Sequence, residues 1–386
     1  MIDVDRSSKA RLVGTAASTI VLALAAVVLV RPILFDDDNA PVTIKSVARL
    51  GERFVAAGGT QRGNGGIWTS IDGRRWSTAP IDLGPRRMGH VLDLVSWKSS
   101  IIGVGYVKGL QADLASFWLV SASGKAGEMS ANSPAASRAR AIAISPSALV
   151  AVGTQRSKHF RPIVWFSADG HRWLSTQMPV PTKSASSNVV PTDVTYVQDH
   201  GFVAVGVIHR DDRVCPLAWE SSDGTHWRIE EGIQPCQDGV LSEMSTVIQT
   251  GKHEIALGRV GDHAAAWTWG PTGWRVEWTD HAQMATGSVS NPESPASEIV
   301  AAASVGDGRI IAAGWQVSEG STRWTLWVRT RAGWIQDAGR SDVGYTALNV
   351  TQQGLIFAAT PGSGGNPARV TEIELNSIGT STIQQR

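Results

Sequence analysis

The chain has 386 residues, of which 42% are hydrophobic and 18% charged; this balance excludes a disordered polymer and allows a large core. The formal net charge is +1, with no long basic run, which excludes a general nucleic-acid binder. No H-E-x-x-H, G-x-S-x-G, phosphate-loop or EF-hand pattern occurs, so motifs assign no catalytic residue, no metal ligand and no cofactor.

In chain order, residues 1–11 form a polar stub carrying Arg6, Lys9 and Arg11. Leu12 to Val30 is uncharged and rich in Ala, Val and Leu. As a helix it rises about 28 Å, close to the hydrocarbon thickness of a bilayer. The pattern predicts a transmembrane helix over 12–34 and a tether over 35–41. Basic residues before it and Asp36-Asp37-Asp38 after it place the N-terminus in the cytoplasm and the remainder outside, in a single-pass arrangement. A cleaved signal peptide is the alternative. Val28-Leu29-Val30-Arg31-Pro32 offers no small-x-small cleavage site, which favours an uncleaved signal anchor.

From residue 42 onward the chain repeats. Trp68–Trp76, Trp165–Trp173 and Trp219–Trp227 all read W-x-S-x-D-G-x-x-W. Asp-Gly between two apolar segments signals a tight hairpin, because glycine takes the positive φ the turn needs. The turn residues are Ser70, Asp72 and Gly73, then Ser167, Asp169 and Gly170, then Ser221, Asp223 and Gly224. Their Ser and Asp side chains suit hydrogen bonds to nearby backbone N–H groups, so they are expected to build turns rather than do chemistry. A second feature recurs upstream: an apolar run closing on Gly58, Gly105, Gly153, Gly206, Gly258 and Gly314, with Ala359 as a seventh copy. These anchors lie 45–56 residues apart, about the length of a four-stranded propeller blade.

Seven units result, and seven four-stranded blades are expected over 42–386 rather than six. Units 2, 5 and 6 replace the Asp turn with other Gly-containing turns, and unit 7 lacks the tryptophan. In unit 4 the strands are expected at 193–198, 202–207, 217–221 and 227–231, the first lining a central channel. The connections 179–191 and 282–297 are long, polar surface loops. Cys215 and Cys236 both fall in unit 4, before its third strand and after its fourth; export would allow them to pair, and two inert thiols are the alternative.

The S-x-D-G-x-x-W stretches resemble the Asp-box of sialidase-type (BNR-like) β-propellers, here in a membrane-anchored bacterial form, with one residue fewer between Asp and Gly. The resemblance implies an all-β propeller in which the Asp-box is a structural turn. Sialidases of this type use an arginine cluster, a Tyr–Glu pair and an Asp. This chain has only Tyr106, Tyr196 and Tyr345, with Tyr196 on an inner strand, and no arginine matches the pattern, so no catalytic residue is carried over.

Aligned units bring Asp93, Arg140, Asp193, Glu243 and Glu298 to or near the start of the inner strands, with Lys45 as the unit 1 member. They suggest a mostly acidic channel mouth able to hold a cation or a basic segment; wet strand ends are the plainer reading. Function is accordingly expected to be a non-enzymatic platform at the cell membrane, binding an envelope protein, peptide or glycan. The alternative is a sialidase-like glycoside hydrolase.

Overall fold

In the computed structural model the described residues are 41–60, 65–79, 88–129, 131–182, 187–210, 213–279, 296–305, 308–318, 321–331, 333–337, 344–350, 356–360 and 367–373. The expected anchor at 12–34 and most of the loop 282–297 lie outside them. Among the described residues no helix is long and apolar enough to cross a membrane.

The described chain is all β. Six four-stranded antiparallel sheets occupy 43–78, 88–129, 137–177, 188–230, 242–279 and 297–337, and a seventh over 347–373 shows three strands. Each is a meander whose strands pair in sequence order. The first strands, Thr43–Leu50, Met88–Trp97, Ser137–Ile144, Asn188–Val197, Ser242–Thr250, Ser297–Ser304 and Ala347–Val350, each touch the next, and the last touches the first. That closure defines a β-propeller. The seventh sheet differs from the expected four strands; residues 374–386 lie outside the described set.

The core lies between blades. Trp68, Trp118, Trp165, Trp219, Trp267 and Trp327 on the third strands are all 0–1% exposed. Burying an indole removes roughly 150–250 Å² from water, about 4–6 kcal/mol at 25 cal/mol per Å². Three of these indoles also hold the connection entering their blade. Trp165 donates to Ser133 Oγ at 3.2 Å, Trp219 to the Pro179 carbonyl at 2.9 Å and Trp267 to the Gln234 carbonyl at 3.0 Å.

The glycine that closes each second strand has a packing cause. The first strands of the six four-stranded blades carry a bulge at Lys45, Leu92, Arg140, Thr192, Ser245 and Val300. The bulge drives the preceding backbone toward the facing glycine. A Cβ on Gly58 would lie 1.8 Å from the Thr43 carbonyl oxygen, and one on Gly105 would lie 1.8 Å from that of His90. The other four meet the equivalent oxygen at 1.8–2.3 Å. In the seventh sheet Ala347↔Ala359 to Val350↔Ile356 pair without a shift, and there the glycine is absent. The same bulge explains why the first strand of blade 4 begins at Asn188 rather than 193: pairing shifts between Pro191 and Asp193, which breaks the alternation used to find it.

The ring is closed by the first and last sheets. Ala368 N donates to the Pro41 carbonyl at 2.6 Å, Val370 N to the Gly73 carbonyl at 2.8 Å, and Trp76 Nε1 to the Ala368 carbonyl at 3.0 Å. Thr346 Oγ1 and Asn349 Nδ2 donate to the carbonyls of Ile44 and Val47 at 2.7 and 2.6 Å.

Candidate functional site

The five residues expected at one channel mouth occupy three registers. Asp93 and Asp193 pair one step inside the closing glycine, Glu243 and Glu298 one step outside it, and Arg140 is itself the bulge residue. They do not form one ring of equivalent side chains, because the alignment had no way to count the inserted residue. Asp93 accepts from Ser46 Oγ at 2.8 Å in blade 1, Leu94 N at 2.8 Å in its own blade, and Ile142 N at 3.0 Å in blade 3. Asp193 accepts from Val194 N at 2.8 Å, and from Thr246 Oγ1 at 2.6 Å and Val247 N at 2.9 Å in blade 5. Both are clips between blades, not free ligands. Burial pushes both carboxyls up, Asp193 to about 7, with the like charge of Asp93 adding to the push. Glu243 pairs with Arg259 at 3.3 Å, and burial raises the Glu298 carboxyl.

The three Asp turns are built alike. In the copy at 167–173, Gly170 N donates to Ser167 Oγ at 2.9 Å, while His171 N and Arg172 N donate to Asp169 Oδ1 at 2.7 and 2.8 Å. The copies at 70–73 and 221–224 repeat the pattern. These backbone donors hold the Asp72 and Asp169 carboxyls low. Asp223 is held lower by its further bond with the His226 ring, at 2.7 Å. In each turn one carboxylate oxygen, Oδ1, is held by the loop's own N–H groups, as a structural turn requires. Cys215 and Cys236 form a disulfide that fastens the third strand of blade 4 to the connector leaving the blade.

A different group of side chains gathers at the end of the strands where each first strand begins. A cavity of about 550 Å³ lies between blades 2 and 3, lined by Leu110, Asp113, Arg138, Thr154, Arg156 and Phe160 among others. Arg138 Nε donates to Asp113 Oδ2 at 2.6 Å, and its guanidinium lies 4.4 Å above the Tyr106 ring. Tyr106 stacks on His90 at 4.7 Å. Arg156 stacks over Phe160 at 5.8 Å, and Leu110 is 94% exposed at the rim. Burial, then Lys108, pushes the His90 imidazole down, so it is neutral at pH 7. Its Nε2 is buried without a partner, so the ring backs Tyr106 rather than facing the cavity. Arg140 follows Arg138 on the same strand; desolvation and the Arg138 charge lower it, while it stays ionised. Two guanidinium groups and two apolar side chains around an open cavity suit a polar ring polymer carrying acid groups: guanidinium binds carboxylate or sulfate in a fork, and Leu and Phe cover sugar faces.

Compared with the sialidase constellation, Arg138, Arg156 and Asp113 share the cavity with Arg140 close by. Tyr106 has an imidazole and a guanidinium at its sides where that pattern has glutamate. Tyr196 instead packs edge-on against Phe202 at 5.2 Å. Motif reading missed His90 and Arg138. One signal was present: Tyr106 directly follows a closing glycine, and the residue in that position pairs with the outer side of the bulge. Among the described residues one trio of ligand-type side chains converges, His200, Glu220 and Glu254, at the other end of the strands.

No protein-family model and no curated protein sequence matches the chain. Solved structures do. An ulvan lyase, described as a polysaccharide lyase and bound to a glucuronate–sulfated rhamnose unit, is 9% identical with a TM-score of 0.57, covering 86% of this chain and 92% of that one. A periplasmic gluconolactonase of Pseudomonas aeruginosa is 11% identical with a TM-score of 0.50, covering 80% and 91%. A Trypanosoma rangeli sialidase is 12% identical with a TM-score of 0.47, covering 86% and 54%. For the lyase and the lactonase, at such identities, the likeness is one of fold, the β-propeller.

Proposed function

We propose that this protein binds and cleaves an anionic polysaccharide in the cavity between blades 2 and 3. The observation that carries the reading is Arg138, which lines the cavity, holds Asp113 and covers the face of Tyr106. Arg138 and Arg156 would neutralise the acid group of the polymer. The Tyr106 hydroxyl, which is reached past Arg138 and is not itself part of the lining, would pass a proton to the leaving glycosidic oxygen, while water adds at the anomeric carbon in hydrolysis or a base takes the C5 proton in elimination. The lyase among the structural neighbours acts on such a polymer; its 9% identity lends fold and nothing more, so the side chains bear the argument. This reading replaces the non-enzymatic platform with the carbohydrate-cleaving alternative. Within the same proposal, the apolar segment 12–34 anchors the propeller on the outer side of the cell membrane, where extracellular glycans are met.

The test is incubation of the purified protein with uronate-rich and sulfated polysaccharides. Chain shortening is followed by size, and elimination is separated from hydrolysis by the ultraviolet absorbance of a new C4–C5 double bond. Tyr106→Phe is expected to lower the rate about 10²- to 10⁴-fold with binding retained, and Arg138→Ala to weaken binding itself. Polysaccharide binding by both the native chain and Tyr106→Phe with no cleavage by either would return the platform reading; no binding by the native chain would remove both.

A further inference from the structure

The trio at the other end of the strands is independent of that cavity. His200 sits in the turn between the first two strands of blade 4, just after Asp199 at φ 67° and before Gly201 at φ 109°. Glu220 is on the third strand of the same blade, next to the Asp turn, and Glu254 is the second residue of the second strand of blade 5, His253–Val260. We propose that His200, Glu220 and Glu254 form a binding site for a divalent transition-metal ion of the zinc type, joining blades 4 and 5.

The two carboxylates are the first reason. Glu254 is 1% exposed and Glu220 is 7% exposed. Each keeps one oxygen, Oε1, fully buried without a hydrogen-bond partner. Paired buried anions are costly unless a cation or several donors meet them. Arg228 donates to the other oxygen of Glu220, Oε2, at 2.8 Å, the oxygen that also lies 3.6 Å from His200 Nε2, so Oε1 is the one still without a partner.

Imidazole geometry is the second reason. His200 Nδ1 is 3.2 Å from Glu254 Oε1, and Nε2 is 3.6 Å from Glu220 Oε2. An imidazolium clamped between two glutamates would donate a hydrogen bond to each, yet Glu254 Oε1 receives none. One ligand atom from each of the three residues lies within 4.8 Å of the other two, while a tetrahedral zinc ion wants its ligands about 3.3 Å apart. Of the three ligands His200 is the most exposed, at one-third, so within this proposal its ring is the one that would turn to close the difference. One imidazole nitrogen with two carboxylates suits zinc, manganese or iron(II) and not calcium, which takes oxygen ligands alone. The Trp269 ring, 6.3 Å from the imidazole, walls one side, and Arg228 serves as the outer partner that orients a ligand.

The experiment uses the full chain, stripped with a chelator and dialysed, then titrated calorimetrically with zinc and, separately, with calcium. One zinc ion per chain and no calcium uptake are expected. His200→Asn, in a partly exposed turn, and Glu254→Gln, in the core, should each lower zinc affinity at least about 100-fold, and Arg228→Gln about 10- to 100-fold. Circular dichroism checks that each variant is folded, and His200→Asn decides if Glu254→Gln is not. Absence of zinc binding by the native chain, or zinc binding by folded His200→Asn as tight as native, overturns the site. None of the three substituted residues lines the cavity between blades 2 and 3, so polysaccharide cleavage is expected to survive all three.

Discussion

At the scale of single residues, the hydrogen bonds with local reach were the legible ones. Ser167 and Asp169 bind N–H groups two and three positions ahead, so their purpose could be read from spacing alone. Ser167→Ala leaves the buried Gly170 N–H without its acceptor, at a cost of about 1–3 kcal/mol. Thermal unfolding should show it, at about 1–2 °C for each kcal/mol in a domain of this size, and an unchanged midpoint would mean that the turn holds without its serine. Asp93 and Asp193 are the opposite case. Their partners Ile142 and Val247 lie 49 and 54 residues away, and spacing arguments saw only two acidic strand ends. Arg138 was invisible for the same reason: what makes it notable is Tyr106, contributed by the neighbouring blade.

At the scale of the strand pair, the closing glycine and the bulge explain each other. Gly58→Ala would drive a methyl group to 1.8 Å from the Thr43 carbonyl oxygen, and overpacking of this kind costs about 1–3 kcal/mol or more. Gly127→Ala, on a fourth strand with nothing within 4 Å, should stay within about 0.5 kcal/mol; urea unfolding of the two variants separates packing from mere loss of a glycine. The clip at Asp193 predicts a pH effect. Its carboxyl is raised to about 7 in the fold from about 3.9 in an unfolded chain. Between those values the folded state holds the extra proton, so stability falls as pH rises from about 4 to 7 and then levels off. Asp193→Asn should flatten that slope; an unaltered pH profile would remove Asp193 as its source. The run of apolar residues ending in glycine was plain in the sequence, but the inserted residue opposite it was not, since a bulge leaves no residue type of its own.

At the scale of the whole molecule, the rhythm of the units announced a ring, and the buried third-strand tryptophans explain why that rhythm is so strong. What could not be read was how the ring shuts, because the contacts that shut it join the two ends of the repeat region. Pro41 and Gly73 accept from Ala368 and Val370, and the last sheet is the one without a registered tryptophan. A chain ending at residue 366 loses these bonds and the strand Arg369–Ile373. Its urea unfolding should begin earlier and spread over a broader range than that of the intact chain. A transition as sharp and as late as the native one would show that closure contributes little.

Closure by the two extremes sets the order of events at the ribosome. The amino-terminal blade leaves the exit tunnel first, yet the flank that meets the last blade waits for residue 368, roughly 15–60 s later at ordinary synthesis rates. Over that interval a nascent chain would display an open apolar edge. The first blade thus stays without its closing neighbour until the last strand of the ring has been made.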